Sequence, residues 1–413
     1  MQGVYRCRFC EKILNHTFAD LGTSPLSNAY LTEADLSQGE IFYPLKAEVC
    51  SSCLLVQLPK FVAPESIFSD YLYFSSYSDS WLAHSKRYVE MMLARFKLKS
   101  SHTVIEIASN DGYLLQYFKA AGIPVLGVEP ATNVAAVAVK EKGIPTRNVF
   151  FGVETAKEMH AEGIRADVLL ANNVLAHVPD LNDFVGGMKI ILAEQGVLTI
   201  EFPHLLKLMN ENQFDTIYHE HFSYFSLYTL CKVFAHHGLT IFDVEEIPVH
   251  GGSLRIFVKH QQDQAKPVMD RVQDILAKEK AEGLQDVQTY NEFSKKTQKI
   301  KYDLLQFLLK AKQEGKMVAG YGAPAKGNTL LNYCGLHGDL LAFTVDRSPH
   351  KQNHYLPGSR IPIFHPDHIK KAKPDYVLIL PWNLKDEIVE QMAYIKEWGG
   401  QFLVAVPSVQ VVQ

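Results

Sequence analysis

The sequence predicts an α/β protein in three parts: a small cysteine-bearing N-terminal domain, a central Rossmann-like domain and a C-terminal Rossmann-like α/β domain. Three observations predict it. Residues 1–68 are short-stranded, rich in turn residues and hold four cysteines as two close pairs. Residues 69–262 alternate apolar strand-like runs with helical stretches, the pattern of a parallel sheet covered by helices. Within 263–413 a Lys/Glu/Gln-rich helical stretch comes first, and the β/α alternation returns from 315 onward. A chain of 413 residues exceeds one ordinary core, which agrees with several domains. Hydrophobic residues at 47% and charged residues at 21% suit a soluble globular protein. A net charge of −4 gives no reason to expect a nucleic acid or an anionic membrane as partner. The apolar runs are only strand-length, and the start has no signal-like stretch, so a cytoplasmic protein is expected, as a monomer or weak homo-oligomer.

In the first part, Cys7-Arg8-Phe9-Cys10 and Cys50-Ser51-Ser52-Cys53 are two C-x-x-C knuckles. Each can present two thiolates from a tight turn, so together they make a four-sulfur tetrahedral zinc site. Such a closed site leaves no position for water and holds structure. Residues 11–49 separate the pairs, a gap longer than that of an ordinary zinc ribbon. The alternative is two unrelated pairs of buried cysteines. Few Lys and Arg residues surround them, which argues against a nucleic-acid finger.

The central part opens with a strand at 103–108, a turn Ser109-Asn110-Asp111-Gly112-Tyr113 and a helix from Leu114 to Ala121. A second strand, 125–128, ends on Glu129 and Pro130. An acid there can take both hydroxyls of a ribose. A third strand, 168–171, ends on Asn172, and a fourth spans 196–201 after a helix near 183–192. The turn lacks G-x-G-x-x-G, the glycines a pyrophosphate needs. Ala108, Asn110, Asp111 and Gly112 stand there instead. An acid at that place repels phosphate and suits a cationic, phosphate-free cofactor such as S-adenosylmethionine; alternatively, Asp111 only caps its helix.

In the last part, Val268, Val272, Ile275 and Leu276, then Ile300, Leu304, Leu305 and Leu308, recur at helical spacing. A strand at 316–319 runs into Gly320-Tyr321-Gly322-Ala323-Pro324-Ala325, which fits G-x-G-x-x-A, and Lys326-Gly327-Asn328 opens a helix. The next strand, 343–345, ends on Asp346. This spacing is a dinucleotide fingerprint and supports a rival function, an NAD-dependent oxidoreductase. A nucleoside-diphosphate sugar carries the same pyrophosphate, and Lys326 adds a charge for it. Gly322, Ala323, Lys326, Asn328 and Asp346 are therefore candidate ligand residues, with Lys351 and Arg360 in the following loop. A glycine turn that only permits close strand–helix packing is the plainer alternative.

Four strings act together: the paired cysteines, Glu-Ile-Ala-Ser-Asn-Asp-Gly-Tyr-Leu-Leu at 106–115, Tyr-His-Glu-His-Phe-Ser-Tyr at 218–224, and the glycine-rich stretch near 320. Along its full length the chain resembles the nucleotide-sugar C-methyltransferases, especially the sugar 3-C-methyltransferases of deoxysugar pathways. The resemblance implies a class I methyltransferase fold for the central part, with Glu106, Asn110 and Glu129 on S-adenosylmethionine. It implies a nucleoside-diphosphate keto-sugar as substrate, most readily methylated at C3 of a 4-keto-6-deoxy sugar, held with help from the C-terminal domain. It points to His221 as base, with Tyr218 and Glu220 nearby and with His177 and Tyr73 lining the pocket. Chemistry agrees with this. A sugar carbon attacks a methyl only after a base has removed the proton beside a ketone, so the site must hold a base and donors for the enolate oxygen. If 218–221 is helical, Tyr218 and His221 share a face; His219 then points away as a packing residue. A non-catalytic, zinc-dependent assembly protein is the weakest of the three readings.

Overall fold

The computed structural model describes residues 5–63, 75–77 and 79–412. Tyr73 and the expected boundary at 68/69 lie outside the described residues.

Three sheets organise the chain. The first is antiparallel, in the order β1 (His16–Ser24), β2 (Tyr43–Val49), β3 (Val56–Gln57) and β9 (Ser223–Tyr224). Its fourth strand comes from far along the chain and brings the 218–224 string to the N-terminal sheet. Each knuckle is a turn closed by two backbone bonds: Glu11 N–H to the Cys7 carbonyl and Leu54 N–H to the Cys50 carbonyl, both 2.9 Å, with Cys7 N–H to the Lys12 carbonyl at 2.8 Å and Cys50 N–H to the Leu55 carbonyl at 3.0 Å. Glu11 (φ 60°) and Leu54 (φ 64°) follow the second cysteine of each pair in the left-handed region, so the two turns match.

The central sheet has seven strands. Helix α1 (Asp79–Phe96) precedes β4 (Val104–Ile107), α2 (Leu115–Ala120), β5 (Val125–Val128), α3 (Thr132–Lys140), β6 (Thr146–Arg147), α4 (Val153–Ala161) and β7 (Ala166–Leu170). Then come α5 (Leu181–Ile191), β8 (Leu192–Pro203), α6 (Leu205–Asn210), α7 (Leu227–His236), β10 (Leu239–Ile247) and β11 (Ser253–His260). The order is β6-β5-β4-β7-β8-β11-β10, with β11 antiparallel to both of its neighbours. This is a Rossmann-like methyltransferase fold, a class in which ligands bind at the carboxyl edge of the parallel strands. Two apolar layers cover the faces. Tyr88, Met92 and Phe118 build one, with Phe242 and Phe257 from the hairpin. Met159, Phe184, Val233 and Phe234 build the other, into which Cys7, Cys50 and Cys53 are packed. Arg255 on β11 lies opposite Glu201 on β8 and donates to it at 2.8 and 2.6 Å, so a buried ion pair fixes the antiparallel register.

Helix α8 (Asp270–Ala281) follows the expected boundary at 262 and packs Val272 and Ile275 against the central layer. Val268 lies before this helix and is exposed, because the chain enters α8 only at Asp270. Its Glu279, fully buried, accepts the N–H groups of Leu227 (2.6 Å) and Tyr228 (2.9 Å) at the start of α7, where unpaired donors and the helix dipole favour a carboxylate. Short α9 (Val287–Asn291) leads to α10 (Phe293–Gln313), whose Ile300, Leu304 and Leu308 join the N-terminal and C-terminal sheets in one core. The C-terminal sheet uses β12 (Val318–Tyr321), α11 (Ala325–Cys334), β13 (Thr344–Val345), β14 (Ile363–Phe364), α12 (His368–Ala372), β15 (Tyr376–Ile379), α13 (Lys385–Gln391), β16 (Gln401–Val404) and β17 (Gln410–Val412). The order is β14-β13-β12-β15-β16-β17, parallel except for β17. Among the described residues no helix is long and apolar enough to cross a membrane.

Candidate active site

The turn after β4 places Ala108 (φ 53°), Asn110 (φ 49°) and Gly112 (φ 74°) in the left-handed region, which folds the chain back under β5. Gly127 on β5 makes room: a Cβ there would lie 2.4 Å from the Ser109 hydroxyl. Glu129 ends β5 and is 5% exposed. Its Oε2 accepts Asn110 N–H and its Oε1 accepts Ala131 N–H, both at 2.8 Å. Each oxygen keeps a second lone pair for another donor. Pro130 is held beside it, since Asn148 Nδ2 donates to the carbonyls of Glu129 and Pro130 at 2.8 and 2.9 Å. Glu106, at the centre of β4, is 1% exposed and its Oε2 has no hydrogen-bond donor. Burial lifts its pKa well above the usual carboxylate range, with Glu129 and Asp111 adding to the effect. Asn172 Oδ1, at the end of β7, is a second buried acceptor without a donor.

These acceptors fit S-adenosylmethionine, which brings an ammonium, ribose hydroxyls and a positive sulfur but no phosphate. Asp111 is not a helix cap, because α2 begins only at Leu115. Its Oδ2 accepts Ser76 N–H at 3.2 Å and its Oδ1 lies 3.3 Å from the Lys142 ammonium, so part of its charge is already balanced. Asn110 Oδ1 accepts Ser75 N–H at 3.0 Å.

The 218–221 segment is a turn and not a helix: His221 N–H donates to the Tyr218 carbonyl at 2.8 Å, and the chain then extends into β9. The i to i+3 approach survives, since a β-turn also brings its ends together. The Tyr218 hydroxyl lies 2.9 Å from His221 Nε2, and His221 Nδ1 lies 2.9 Å from the Thr216 carbonyl. A carbonyl only accepts, so Nδ1 carries the proton and Nε2 is the basic nitrogen. His177 stands beside it at 4.7 Å between ring centroids, with Nδ1–H on the Glu220 carbonyl at 2.9 Å. Phe222 N–H donates to the Ala176 carbonyl at 2.7 Å, so the two histidine loops are laced together. Burial, with His177 next in weight, holds the pKa of His221 well below the usual imidazole value. Burial alone takes His177 down to about 4. The Glu220 carboxyl accepts from Asn28 Nδ2 at 2.6 Å, and burial pushes it up to about 7. His219 turns away, bonding the Pro44 carbonyl at 3.1 Å, as a packing residue does.

The C-terminal domain packs against the segment that leads into this turn. Lys326 at the start of α11 lies 4.3 Å over the Trp382 ring and bonds Asn383 Oδ1. Burial lowers it to about 8. Trp382 Nε1–H donates to buried Asp215 at 2.7 Å, and Thr329 Oγ1 donates to the Ile217 carbonyl at 3.1 Å. Gly322 and Ala323 form the tight turn. Gly322 has φ 86°, and a Cβ on it would sit 2.6 Å from Pro381 Cδ, so close packing alone demands glycine there. Asp346 Oδ2 accepts Ala323 N–H at 2.7 Å and its Oδ1 accepts Ser348 N–H at 2.8 Å. Lys351 bonds the Ala323 carbonyl at 2.9 Å. Asn328 is buried, with Nδ2 on the Ser27 carbonyl at 2.6 Å. Arg360 is not brought to the pocket: its guanidinium is used by Glu40 at 2.9 Å and by the carbonyls of Leu36 and Gln38, both at 2.8 Å.

Sequence reasoning missed Trp81, His84, His250, Asp215 and Trp382. Trp81 stacks on His84 at 4.9 Å and faces His250 at 5.1 Å. Only three tryptophans occur in the chain, which was an available signal. So was the string His250-Gly251-Gly252, whose three residues the structure places at positive φ.

Three family models match: "Putative zinc binding domain" over residues 7–68, "Methyltransferase domain" over 81–244 and "C-methyltransferase C-terminal domain" over 248–407. C-methyltransferase NovU of Streptomyces niveus is 36% identical over 416 residues, covering 100% of this chain and 99% of that one. A ubiquinone biosynthesis O-methyltransferase of a Bradyrhizobium strain is 31% identical over 99 residues, 24% of this chain and 38% of that one. Among solved structures, the magnesium protoporphyrin IX methyltransferase of Synechocystis PCC 6803 with bound S-adenosylmethionine is 13% identical, covering 43% of this chain and 78% of that one at a TM-score of 0.33. An S-adenosylmethionine-dependent methyltransferase of Anabaena variabilis is 18% identical, covering 49% and 100% at 0.36. Both likenesses are too loose to inform function. The rival oxidoreductase reading is not supported: the G-x-G-x-x-A segment lies within residues 248–407, matched by a C-methyltransferase domain. Cys7, Cys10, Cys50 and Cys53 converge with all four sulfurs within 4.8 Å of one another, a fit for one zinc. Matched along its whole length by a C-methyltransferase and built around an acceptor-lined donor cradle, the chain belongs to the S-adenosylmethionine-dependent C-methyltransferases.

Proposed function

We propose that this enzyme methylates a carbon of a nucleoside-diphosphate keto-sugar, C3 of a 4-keto-6-deoxy sugar, through an enolate. The observation that carries the reading is the Tyr218–His221 pair, whose basic Nε2 faces a phenol at 2.9 Å. A C-methyltransferase needs a carbon acid, and the family resemblance supplies the sugar class. His221 Nε2 takes the proton beside the ketone once the phenol turns its O–H from the imidazole to the carbonyl oxygen. Tyr218 then donates to the enolate oxygen, in a site too buried to stabilise that charge with water. The depressed basicity of His221 makes this donation necessary, since the imidazole alone holds the proton weakly. Glu220, pushed up to about 7, fits a carboxyl that donates to or accepts from a sugar hydroxyl. His177 and Lys326 border the same space, and Lys326 grips the diphosphate from α11. Glu106, Glu129 and Asn172 hold S-adenosylmethionine, which when bound supplies a methyl on positively charged sulfur. The cytoplasm suits four thiolates on zinc.

The test uses deuterated water with S-adenosylhomocysteine in the donor site. Wild type exchanges the sugar C–H for deuterium far above a no-enzyme control. His221→Ala falls about 10²-fold or more toward that control while still binding both ligands. Full exchange by that variant would move the base to His177. Because neutral His221 is the active form and its pKa lies well below 6.5, His221 itself puts no acid limb on exchange between pH 7 and 6.5.

A further inference from the structure

Arg8 lies between the cysteines of the first knuckle, yet its side chain leaves that knuckle and ties down the two histidine loops. Its Nη1 donates to the Pro179 carbonyl at 2.7 Å, two residues beyond His177. Its Nη2 donates to the Leu58 carbonyl, and Leu58 N–H donates in turn to the Phe222 carbonyl at 3.0 Å, one residue beyond His221. The guanidinium also lies 5.5 Å over the Phe222 ring. At its own end, Arg8 N–H donates to Gln57 Oε1 at 2.9 Å, and Gln57 Nε2 reaches Cys7 Sγ at 3.3 Å. A planar fork with fixed donor directions can hold two carbonyls at a set spacing, which an ammonium cannot.

We infer that Arg8 is a positioning residue for the reaction, the strut by which the cysteine knuckle sets the separation of the His177 and His221 loops. It touches neither ligand and acts through backbone carbonyls. The inference explains why the N-terminal domain is fused to this site: β9, the knuckle and the catalytic turn form one frame. It rests on the proposed roles of His177 and His221.

The experiment compares Arg8→Met and Arg8→Lys with wild type in the full chain. Both variants are expected to keep about one zinc per chain and unchanged affinity for S-adenosylhomocysteine. Arg8→Met should lower the deuterium exchange rate about tenfold or more, with the sugar-nucleotide KM moved less than twofold, and Arg8→Lys should recover part of the loss. Nitrogen NMR of labelled histidine, assigned with His177→Gln and His221→Gln, should show those two rings shifting in Arg8→Met while most others stay. Loss of zinc or of donor affinity in both variants would reduce Arg8 to a fold residue and overturn the inference. So would unchanged exchange with unmoved histidine signals. If wild type itself fails to exchange, the enolate reading falls, and the histidine signals alone then decide whether Arg8 positions these loops.

Discussion

At the scale of single residues, the pocket is a set of cationic precursors kept from charging. His177 and His250 are each held near 4 by burial, His221 lies well below 6.5, and Lys326 is lowered to about 8. Lys326 is thus the group in this set that still carries a charge at pH 7, and an anionic substrate will find it. Below about pH 8 the ammonium is present; above it, the lysine is neutral and the proposed grip on a diphosphate would be lost. The sugar-nucleotide KM should therefore rise as pH passes 8, while the donor's affinity stays level. Lys326→Ala should raise that KM about tenfold or more at pH 7, the cost of one charge-assisted contact, and should abolish the rise above pH 8. Steady-state kinetics between pH 6.5 and 9.5 checks both. The pairing of Tyr218 with His221 was legible from their spacing of three, because a turn and a helix both close at that interval. The acidity of His221 was not legible, since it depends on burial by elements distant in sequence.

Among the elements, the parallel strands β4, β5, β7 and β8, of four residues or more, were readable as apolar runs, because burial on both faces removes polar alternation. The two-residue strands β3, β6, β9, β13 and β14 owe their identity to their partners; only β13 was marked in the sequence, by its place before Asp346. Hence the most consequential pairing, β3 with β9, was invisible until Tyr224 was seen opposite Val56. The knuckles were legible because C-x-x-C is a local geometry. Their prediction belongs here: purified protein should hold about one zinc, and Cys50→Ser should lose it and unfold more readily. Structural zinc contributes on the order of 10 kcal/mol in small isolated domains. Here Cys7, Cys50 and Cys53 also pack into the central apolar layer, so part of the fold should survive metal loss. Metal analysis and thermal unfolding of the variant measure this. A zinc-free variant as stable as wild type would show that packing, and not the metal, holds the knuckles.

For the whole molecule, the glycine turn kept an NAD-dependent rival open in the sequence because one local motif serves two geometries. Gly322 is required by Pro381, and Trp382, which follows Pro381, reaches Asp215 ahead of the 218–221 turn. Trp382 and Asp215 join the two Rossmann-like domains there, with an indole N–H on a carboxylate that burial pushes up to about 6. Two energies meet at this seam. The Lys326–Trp382 contact is worth about 1–2 kcal/mol where water is excluded. Leaving a buried carboxylate without its donor costs about 1–3 kcal/mol. Trp382→Phe removes only the second, since the ring still underlies Lys326; Trp382→Ala removes both. The expected order of sugar-nucleotide affinity is therefore wild type, then Phe, then Ala, with steps of about tenfold. The proposed S-adenosylmethionine residues Glu106, Glu129 and Asn172 belong to β4 and to the ends of β5 and β7, not to this seam, so the donor's affinity should hold within about twofold in both variants. Calorimetric titration of each ligand into each variant makes the comparison. Equal weakening of both ligands would mean that the seam supports only the fold, and the C-terminal domain would then lose its claim on the sugar nucleotide.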